Sequence, residues 1–186
     1  MNKLLDKVQQ FVDESFKYDE AQIRHFDRTV YWLQQLKPEA DEALLIAAYA
    51  HDTERAFRLP EKSHEITGKS FLDPESLKQH QEKGAKIIGD FLEKNGAGRE
   101  TIDKVKHLIS AHEIGGGEDQ NFLKDADSLS FLENNGSIFM SRLEKLGYDR
   151  VKEKFDWMYE RITSPSAKEV AKPLYEKMVS DLDSAK

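Results

Sequence analysis

Four of the six histidines in this 186-residue chain stand where the helical repeat of apolar residues turns them inward. They are His25, His51, His80 and His112, and Asp52 follows directly after the second of them. A buried imidazole needs hydrogen-bond partners, and a buried carboxylate needs a counter-charge or a cation. Four inward histidines on four different helices satisfy these needs together when they converge on a metal ion. The pattern therefore predicts a buried metal site.

The surroundings of these histidines sharpen the prediction. His51 and Asp52 end the stretch ALLIAAYA, which is apolar on every side and is typical of a buried central helix. His80 is followed at i+4 by Gly84, where the missing side chain allows another group to approach closely. His107 points away from the inward stripe and is predicted to face solvent, whereas His64 lies in a loop and has no helical phase.

The elements that must position these residues are helices. No segment alternates as a half-buried strand does, so the chain is predicted to be all-α. Asp73 and Pro74 are typical of a helix start, and Asn95-Gly96 of a helix end. The predicted helices cover about 3–16, 18–36, 38–57, 74–95, 100–113, 121–146, 149–162 and 167–182, with a candidate break at 134–136. The loop 58–72 is long enough to act as a lid.

Composition excludes several classes of function. The chain has no cysteine, so a metal must be held by His, Asp or Glu. Its net charge is −7 and it lacks a basic track, which disfavours nucleic-acid binding. No apolar run approaches the ~20 residues of a membrane span, and the N-terminus lacks a signal-peptide core. We expect a single cytoplasmic domain over residues 1–186.

The order of the candidate ligands is similar to that of a known family. His25, then the pair His51-Asp52, then Asp127 in the setting Ala126-Asp127-Ser128-Leu129 resembles the HD-domain superfamily of metal-dependent phosphohydrolases. The similarity covers roughly residues 22–131. It implies a compact HD-domain-like helical bundle with a metal-binding core of about 20–132. The helices of about 148–184 would be C-terminal additions that pack against the core or form the face of a homodimer.

The resemblance also implies a ligand set. His25, His51, Asp52 and Asp127 match the four-ligand motif, and His80 and His112 match two further histidines of the binuclear subgroups. In those subgroups the Asp of the HD pair bridges two metals, which gives Asp52 a catalytic position as well. Asp125 is an alternative to Asp127 because its helical phase points slightly better inward. We follow the motif and assign Asp127.

Such a site suits one or two ions of Mn, Fe, Zn, Co or Ni. A bound metal makes hydroxide available near neutral pH, and two metals can clamp a phosphate. We therefore expect hydrolysis of a phosphoester or phosphoanhydride in a nucleotide or small phosphorylated metabolite. Glu54 is a candidate second-shell group or general acid/base. The candidate substrate-binding residues, each of which is also compatible with an ordinary surface role, are Arg28, Arg55, Lys83, Lys124 and His64.

Two other functions are compatible with the same residues. Some HD-fold proteins with this ligand order resemble di-iron oxygenases in their chemistry, and iron content with oxygen dependence would identify one. A non-catalytic module, in which the metal is structural or the pocket senses a ligand, would have no open coordination position. The chain lacks the GYP motif of one cyclic-dinucleotide phosphodiesterase branch, and its last ~45 residues carry no chemical motif.

Overall fold

The computed structural model describes residues 3–59 and 70–185, and both ranges are helical with no strand, which confirms the predicted all-α class. The helices are α1 (Lys3–Ser15), α2 (Glu20–Leu36), α3 (Glu42–Ala50), α4 (Pro74–Lys94), α5 (Arg99–Ile109), α6 (Glu118–Ser130), α7 (Gly136–Met140), α8 (Leu143–Leu146), α9 (Tyr148–Glu160) and α10 (Pro165–Ser184). A 3-10 turn, Thr53–Phe57, follows α3, and a π-helical turn, Phe131–Asn135, follows α6.

Helix starts follow from local side-chain hydrogen bonds. The carboxylate of Asp73 accepts from the backbone N–H of Ser76 at 2.9 Å, with Pro74 at the first helical position, as the sequence predicts. Asp41 caps α3 in the same way by accepting from the N–H of Leu44 at 3.0 Å. Helix α3 therefore begins at Glu42, several residues later than the predicted start at Pro38.

Helix α3 also ends earlier than predicted, and its end forms part of the site. His51 Nδ1 lies 2.9 Å from the carbonyl oxygen of Ala48, and the hydroxyl of Thr53 donates to the carbonyl of Ala50 at 2.8 Å. In a longer helix these carbonyls would accept from backbone N–H groups. Here the side chains of His51 and Thr53 take the place of those backbone N–H groups. The helix therefore ends, and His51 and Asp52 occupy a turn.

Two groups of buried apolar residues form the interior. The first contains residues 43–50 of α3, all of which are buried, together with faces of α1, α2, α4 and α5. The second is built from the π-helical turn and helices α7–α10. Helix α6 contributes Ala126 to the first group and Leu129 to the second. Asp127 therefore lies where the two groups meet.

Two other boundaries differ from the prediction. Helix α5 ends at Ile109, so His112 lies on the turn that follows it rather than in the helix. The predicted helix 121–146 is divided by the π-helical turn, which includes part of the candidate break at 134–136. Residues 60–69 of the candidate lid, with His64, lie outside the described residues. No helix in the described ranges is both long and apolar enough to cross a membrane.

Candidate metal centre

The six predicted ligands come from five places in the fold and meet in one buried cluster. His25 is on α2, His51 and Asp52 follow α3, His80 is on α4, His112 follows α5, and Asp127 is on α6. Each is 5% exposed or less, so all four histidines face inward as their helical phase predicts. His107, in contrast, is exposed, also as predicted.

Asp52 is shared by two groups of potential metal ligands. Ligand atoms of His25, His51 and Asp52 lie within 4.8 Å of one another. Ligand atoms of Asp52, His80 and His112 also lie within 4.8 Å of one another. These buried His and Asp groups could hold a metal ion, and Asp52 is common to both groups.

The structure places Asp127, and not Asp125, beside the histidines. Oδ1 of Asp127 lies 3.1 Å from Nε2 of His25 and 3.5 Å from Nε2 of His51. Asp125 is also buried, but its carboxylate accepts from the backbone N–H groups of Thr163 at 2.9 Å and Ser164 at 2.7 Å. Asp125 thus binds the backbone at the start of α10. This role explains why its side chain points inward although it does not belong to the His/Asp cluster.

Backbone carbonyls set the orientation of two of the imidazoles. Nδ1 of His51 lies 2.9 Å from the Ala48 carbonyl, and Nδ1 of His112 lies 2.8 Å from that of Ile109. A carbonyl oxygen only accepts, so Nδ1 carries the hydrogen in both rings. In the neutral ring the lone pair is then on Nε2, which is the atom that points into the cluster.

His25 and His80 have the same orientation for different reasons. The hydroxyl of Ser130 donates to the carbonyl of His25 at 2.8 Å, so it can only accept from His25 Nδ1, also at 2.8 Å. Nδ1 of His80 donates to a carboxylate oxygen of Glu54 at 2.8 Å, and Arg58 Nε donates to the same carboxylate at 3.0 Å. An outward Nδ1 hydrogen bond and an inward Nε2 are the usual arrangement of histidines that bind metal.

Two of these inward nitrogens have no partner. Nε2 of His51 and Nε2 of His112 are buried and make no hydrogen bond within the described part of the chain. Buried polar atoms without partners are rare because leaving them unpaired is costly. A cation bound to Asp52 would satisfy both nitrogens, so the donor set fits a metal ion of the kind that imidazole and carboxylate ligands prefer.

The charges around the cluster also fit a cation. Burial raises the pKa of the Asp52 carboxyl, but Arg55 and His51 outweigh it and hold that pKa well below its usual range. Burial lowers the pKa of His51, but the carboxylates of Asp127 and Asp52 raise it to about 9. The carboxylates of the cluster therefore favour a positive charge beside His51, and a bound metal ion would supply one.

Arg161 and Glu113 complete the cluster and were not selected from the sequence. Arg161, at the end of α9, donates to the carboxylates of Glu113 and Asp127, and its Nε donates to the hydroxyl of Ser128 at 2.8 Å. Burial raises the pKa of Glu113, but Arg161 outweighs it and the pKa falls to about 2. The signal available in the sequence was the seven-residue spacing from Lys154 to Arg161, which puts two cations on one face of α9.

A cavity of about 240 Å³ opens beside the cluster. Four of its lining residues are candidate ligands: His25, Asp52, His80 and Asp127. Its basic lining residues are Arg55, Arg58, Arg142 and Lys154, and its apolar wall is formed by Phe71, Leu77, Phe131, Ile138, Phe139 and Met158. The cavity thus joins a candidate metal cluster to cationic and apolar surfaces, which is the layout of a small-molecule site.

The five residues predicted to bind substrate are not brought together. Arg55 lines the cavity and donates from Nε to Asp52 at 2.6 Å. Arg28 lies outside it and forms a two-bond ion pair with Glu133 at 2.8 and 2.9 Å. Lys83 lines a separate depression on the far side of His80, and Lys124 is buried near Asn121. His64 lies outside the described residues.

Glu54 lies behind His80 and does not line the cavity beside the cluster. Burial raises its pKa, but the hydrogen bonds from His80 and Arg58 outweigh this and lower the pKa to about 2. Its carboxylate is thus ionised and engaged by two donors. This geometry is that of a group that orients a metal-binding histidine.

Comparisons with known proteins agree with this fold. The family model described as "Domain of unknown function (DUF4202)" matches residues 5–174. A crystal structure of a predicted HD superfamily hydrolase from an uncultured Thermotogales bacterium is similar, with a TM-score of 0.60 and 21% sequence identity. The match covers 96% of this chain and 88% of the other. A search of curated proteins finds no match. The chain therefore has an HD-domain-like fold.

Proposed function

The chain belongs to the DUF4202 family, and we propose that it is a metal-dependent phosphohydrolase acting on a small phosphorylated molecule. One observation carries the proposal. Four imidazoles present Nε2 to the same two carboxylates, and the Nε2 atoms of His51 and His112 lack any other partner in the described ranges. Asp52 belongs to both ligand groups, which suits a pair of ions better than one.

The balance of charge favours an anionic substrate. Four buried carboxylates at the cluster, those of Asp52, Glu54, Glu113 and Asp127, face four cations, those of Arg55, Arg58, Lys154 and Arg161. The cluster is therefore close to neutral before any metal binds. Divalent ions would make it strongly positive, and a phosphate group together with a bound hydroxide would compensate that charge.

The chain's own residues divide the work of such a reaction. A metal ion bound here would supply hydroxide near neutral pH and polarise a phosphoryl oxygen. Arg55, at the entrance, holds Asp52 from one side and reaches within 4.0 Å of Glu113 with its other nitrogen. Its exposed position allows it to contact a phosphate that enters the cavity. Glu54 holds His80 in place rather than exchanging protons with the substrate.

The test is a measurement of metal content followed by a substrate screen. Purified protein is loaded with Mn²⁺, Fe²⁺ or Zn²⁺, the metal-to-chain ratio is determined, and phosphate release is followed with a panel of phosphate monoesters, diesters and anhydrides. Asp127→Asn is compared with Asp125→Asn, since both remove a buried carboxylate of α6 but only Asp127 faces the histidines. We expect near two metals in wild type and in Asp125→Asn, and fewer in Asp127→Asn.

The outcomes separate the competing functions. Metal uptake with phosphate release supports the proposal. Iron-dependent oxygen consumption without phosphate release would replace it with the oxygenase alternative. Metal uptake with neither activity, in a centre whose coordination positions are all filled, would replace it with a non-catalytic metal-binding module.

A further inference from the structure

One cation at the cavity lacks the carboxylate partner that its neighbours have. Arg55 is paired with Asp52, and Arg58 with Glu54. Lys154, on α9, lines the same cavity but forms no hydrogen bond or ion pair with any residue that the structure describes. Its ammonium lies 5.4 Å from the ring centre of Phe131, which is also part of the cavity wall.

The charges near Lys154 make an incoming anion favourable. Burial lowers the pKa of the Lys154 amine, and the carboxylates of Glu113 and Asp127 oppose this. The guanidinium groups of Arg161 and Arg55 lower it further, and the pKa stays below its usual value. In the empty cavity its positive charge is therefore incompletely compensated. A phosphate that enters would compensate the charge and give the ammonium hydrogen-bond acceptors, because charge-assisted bonds of this kind are among the strongest in proteins.

We propose that Lys154 binds the non-bridging oxygens of the substrate's phosphoryl group and makes the site select dianionic phosphate monoesters over monoanionic diesters. The assignment rests on the proposed function of the metal cluster. A phosphate monoester dianion carries one more negative charge than a diester. Lys154 can compensate that additional charge, because its ammonium forms no ion pair with a carboxylate that the structure describes.

The same face of α9 supports this assignment. Arg161, seven residues further on, has all three of its nitrogens engaged, two with the carboxylates of Asp127 and Glu113 and one with the hydroxyl of Ser128. Lys154 thus extends from the same helix into the cavity while Arg161 holds the carboxylates. The C-terminal helices in this way complete a site whose metal ligands all come from residues 25–127.

The experiment compares Lys154→Met with Lys152→Met in Mn²⁺-loaded protein. Methionine is an unbranched side chain only one atom shorter than lysine and carries no charge. Lys152 is on the same helix, but its ammonium pairs with Asp156 at a distance of 2.6 Å and does not line the cavity. The readouts are metal content, thermal stability, binding of inorganic phosphate by calorimetry, and kcat/KM for p-nitrophenyl phosphate and bis-p-nitrophenyl phosphate. If Lys154→Met does not take up the wild-type amount of metal, the same comparison is made with Lys154→Gln.

We expect Lys154→Met to keep its metals and to bind inorganic phosphate about 10- to 100-fold more weakly, the value of one hydrogen bond to a charged group. Its kcat/KM for the monoester should fall by a similar factor, with a smaller fall for the diester. Lys152→Met should match wild type. Unchanged phosphate binding in a metal-loaded Lys154 variant would overturn the assignment while leaving the phosphohydrolase proposal intact. Metal-loaded wild type that neither binds phosphate nor cleaves either ester would overturn both.

Discussion

The two halves of the metal cluster are held in place by different means. In the Asp127 half (His25, His51 and Asp127), the histidines are fixed by a hydroxyl and a backbone carbonyl, and the carboxylate is fixed by the buried guanidinium of Arg161. In the His80 half (His80 and His112), a carboxylate from the 3-10 turn holds His80. Asp52 belongs to both.

The difference lies in what happens when a supporting group is removed. The side chain of Arg161 is 3% exposed and faces two carboxylates, so its loss leaves both charges buried. The side chain of Arg58, which supports Glu54, is 18% exposed and can reach water. We therefore expect the supports of the Asp127 half to matter more for the stability of the fold than those of the His80 half.

The largest effect is expected from Asp52→Asn, because it removes the ligand that the two halves share. Asparagine keeps the shape but not the charge, so neither ligand group retains its carboxylate bridge. We expect metal content close to zero and phosphohydrolase activity at background, as measured by elemental analysis and phosphate release. Full occupancy of both metals in this variant would show that the halves do not depend on a common ligand.

Arg161→Met should destabilise the metal-free protein by about 3–5 kcal/mol, the usual cost of breaking a buried ion pair by removing one partner. The free energy of unfolding in denaturant, with and without Mn²⁺, measures it. Bound metal should recover part of the loss, since a cation compensates Asp127. Arg58→Met is the matched change in the His80 half and should cost much less. Equal losses of unfolding free energy in the two variants would show that the Asp127 half and the His80 half contribute equally to the stability of the fold.

His80→Ala and His25→Ala test whether one half can be emptied alone. We expect His80→Ala to retain about one metal per chain with nearly normal thermal stability, because only one of the two ligand groups loses a histidine. His25→Ala removes a ring hydrogen-bonded to Ser130 in the core, so it should lower thermal stability as well as metal content. About one metal per chain in both wild type and His80→Ala would reduce the centre to a single ion bound in the Asp127 half.

Glu54→Gln should have the smallest effect. Loss of a group that orients a metal-binding histidine commonly weakens metal binding about 10- to 100-fold, and competition with a chelator measures this. The variant should also change how the free energy of unfolding depends on pH in the acidic range. The pKa of Glu54 is about 2 in the folded protein and ordinarily 4.5, so its contribution is present above pH 4.5 and is lost as the pH falls towards 2.

In metal-free protein the free energy of unfolding of Glu54→Gln should therefore decline less steeply than that of wild type between pH 4.5 and 2. Glu93→Gln, at an exposed position of α4, serves as the control for loss of one carboxylate. Parallel pH profiles for Glu54→Gln and wild type would mean that the Glu54–His80 hydrogen bond does not persist in the metal-free protein.

The sequence predicted those parts of the site that depend on local pattern. The inward phase of His80, the apolar helix before His51 and the motif around Asp127 each lie within a few neighbouring residues. The choice between Asp125 and Asp127 could not be settled by helical phase, because both carboxylates are buried. Asp125 is used by the backbone of α10, a contact that only the tertiary fold reveals.

The cations were predicted less well, for a physical reason. Spacing from a ligand places a cation near it along the helix but does not say which partner it finds. Arg28, three residues after His25, pairs with Glu133 instead of facing the cavity. Lys154 and Arg161 are far from every ligand in the sequence, and they reach the cluster only because α9 packs against the π-helical turn and α10 against α6.

The pairing of Asp127 with Arg161 has a consequence for the order in which the protein is made. The two residues are 34 positions apart, so at roughly 5–20 residues per second the arginine is added about 2 to 7 s after the aspartate. During that interval the growing chain contains all six ligands but lacks the charge that stabilises one of them. The segment that carries the ligands therefore depends on residues that follow it in the sequence, and the cluster becomes stable only after α9 and Arg161 have been added.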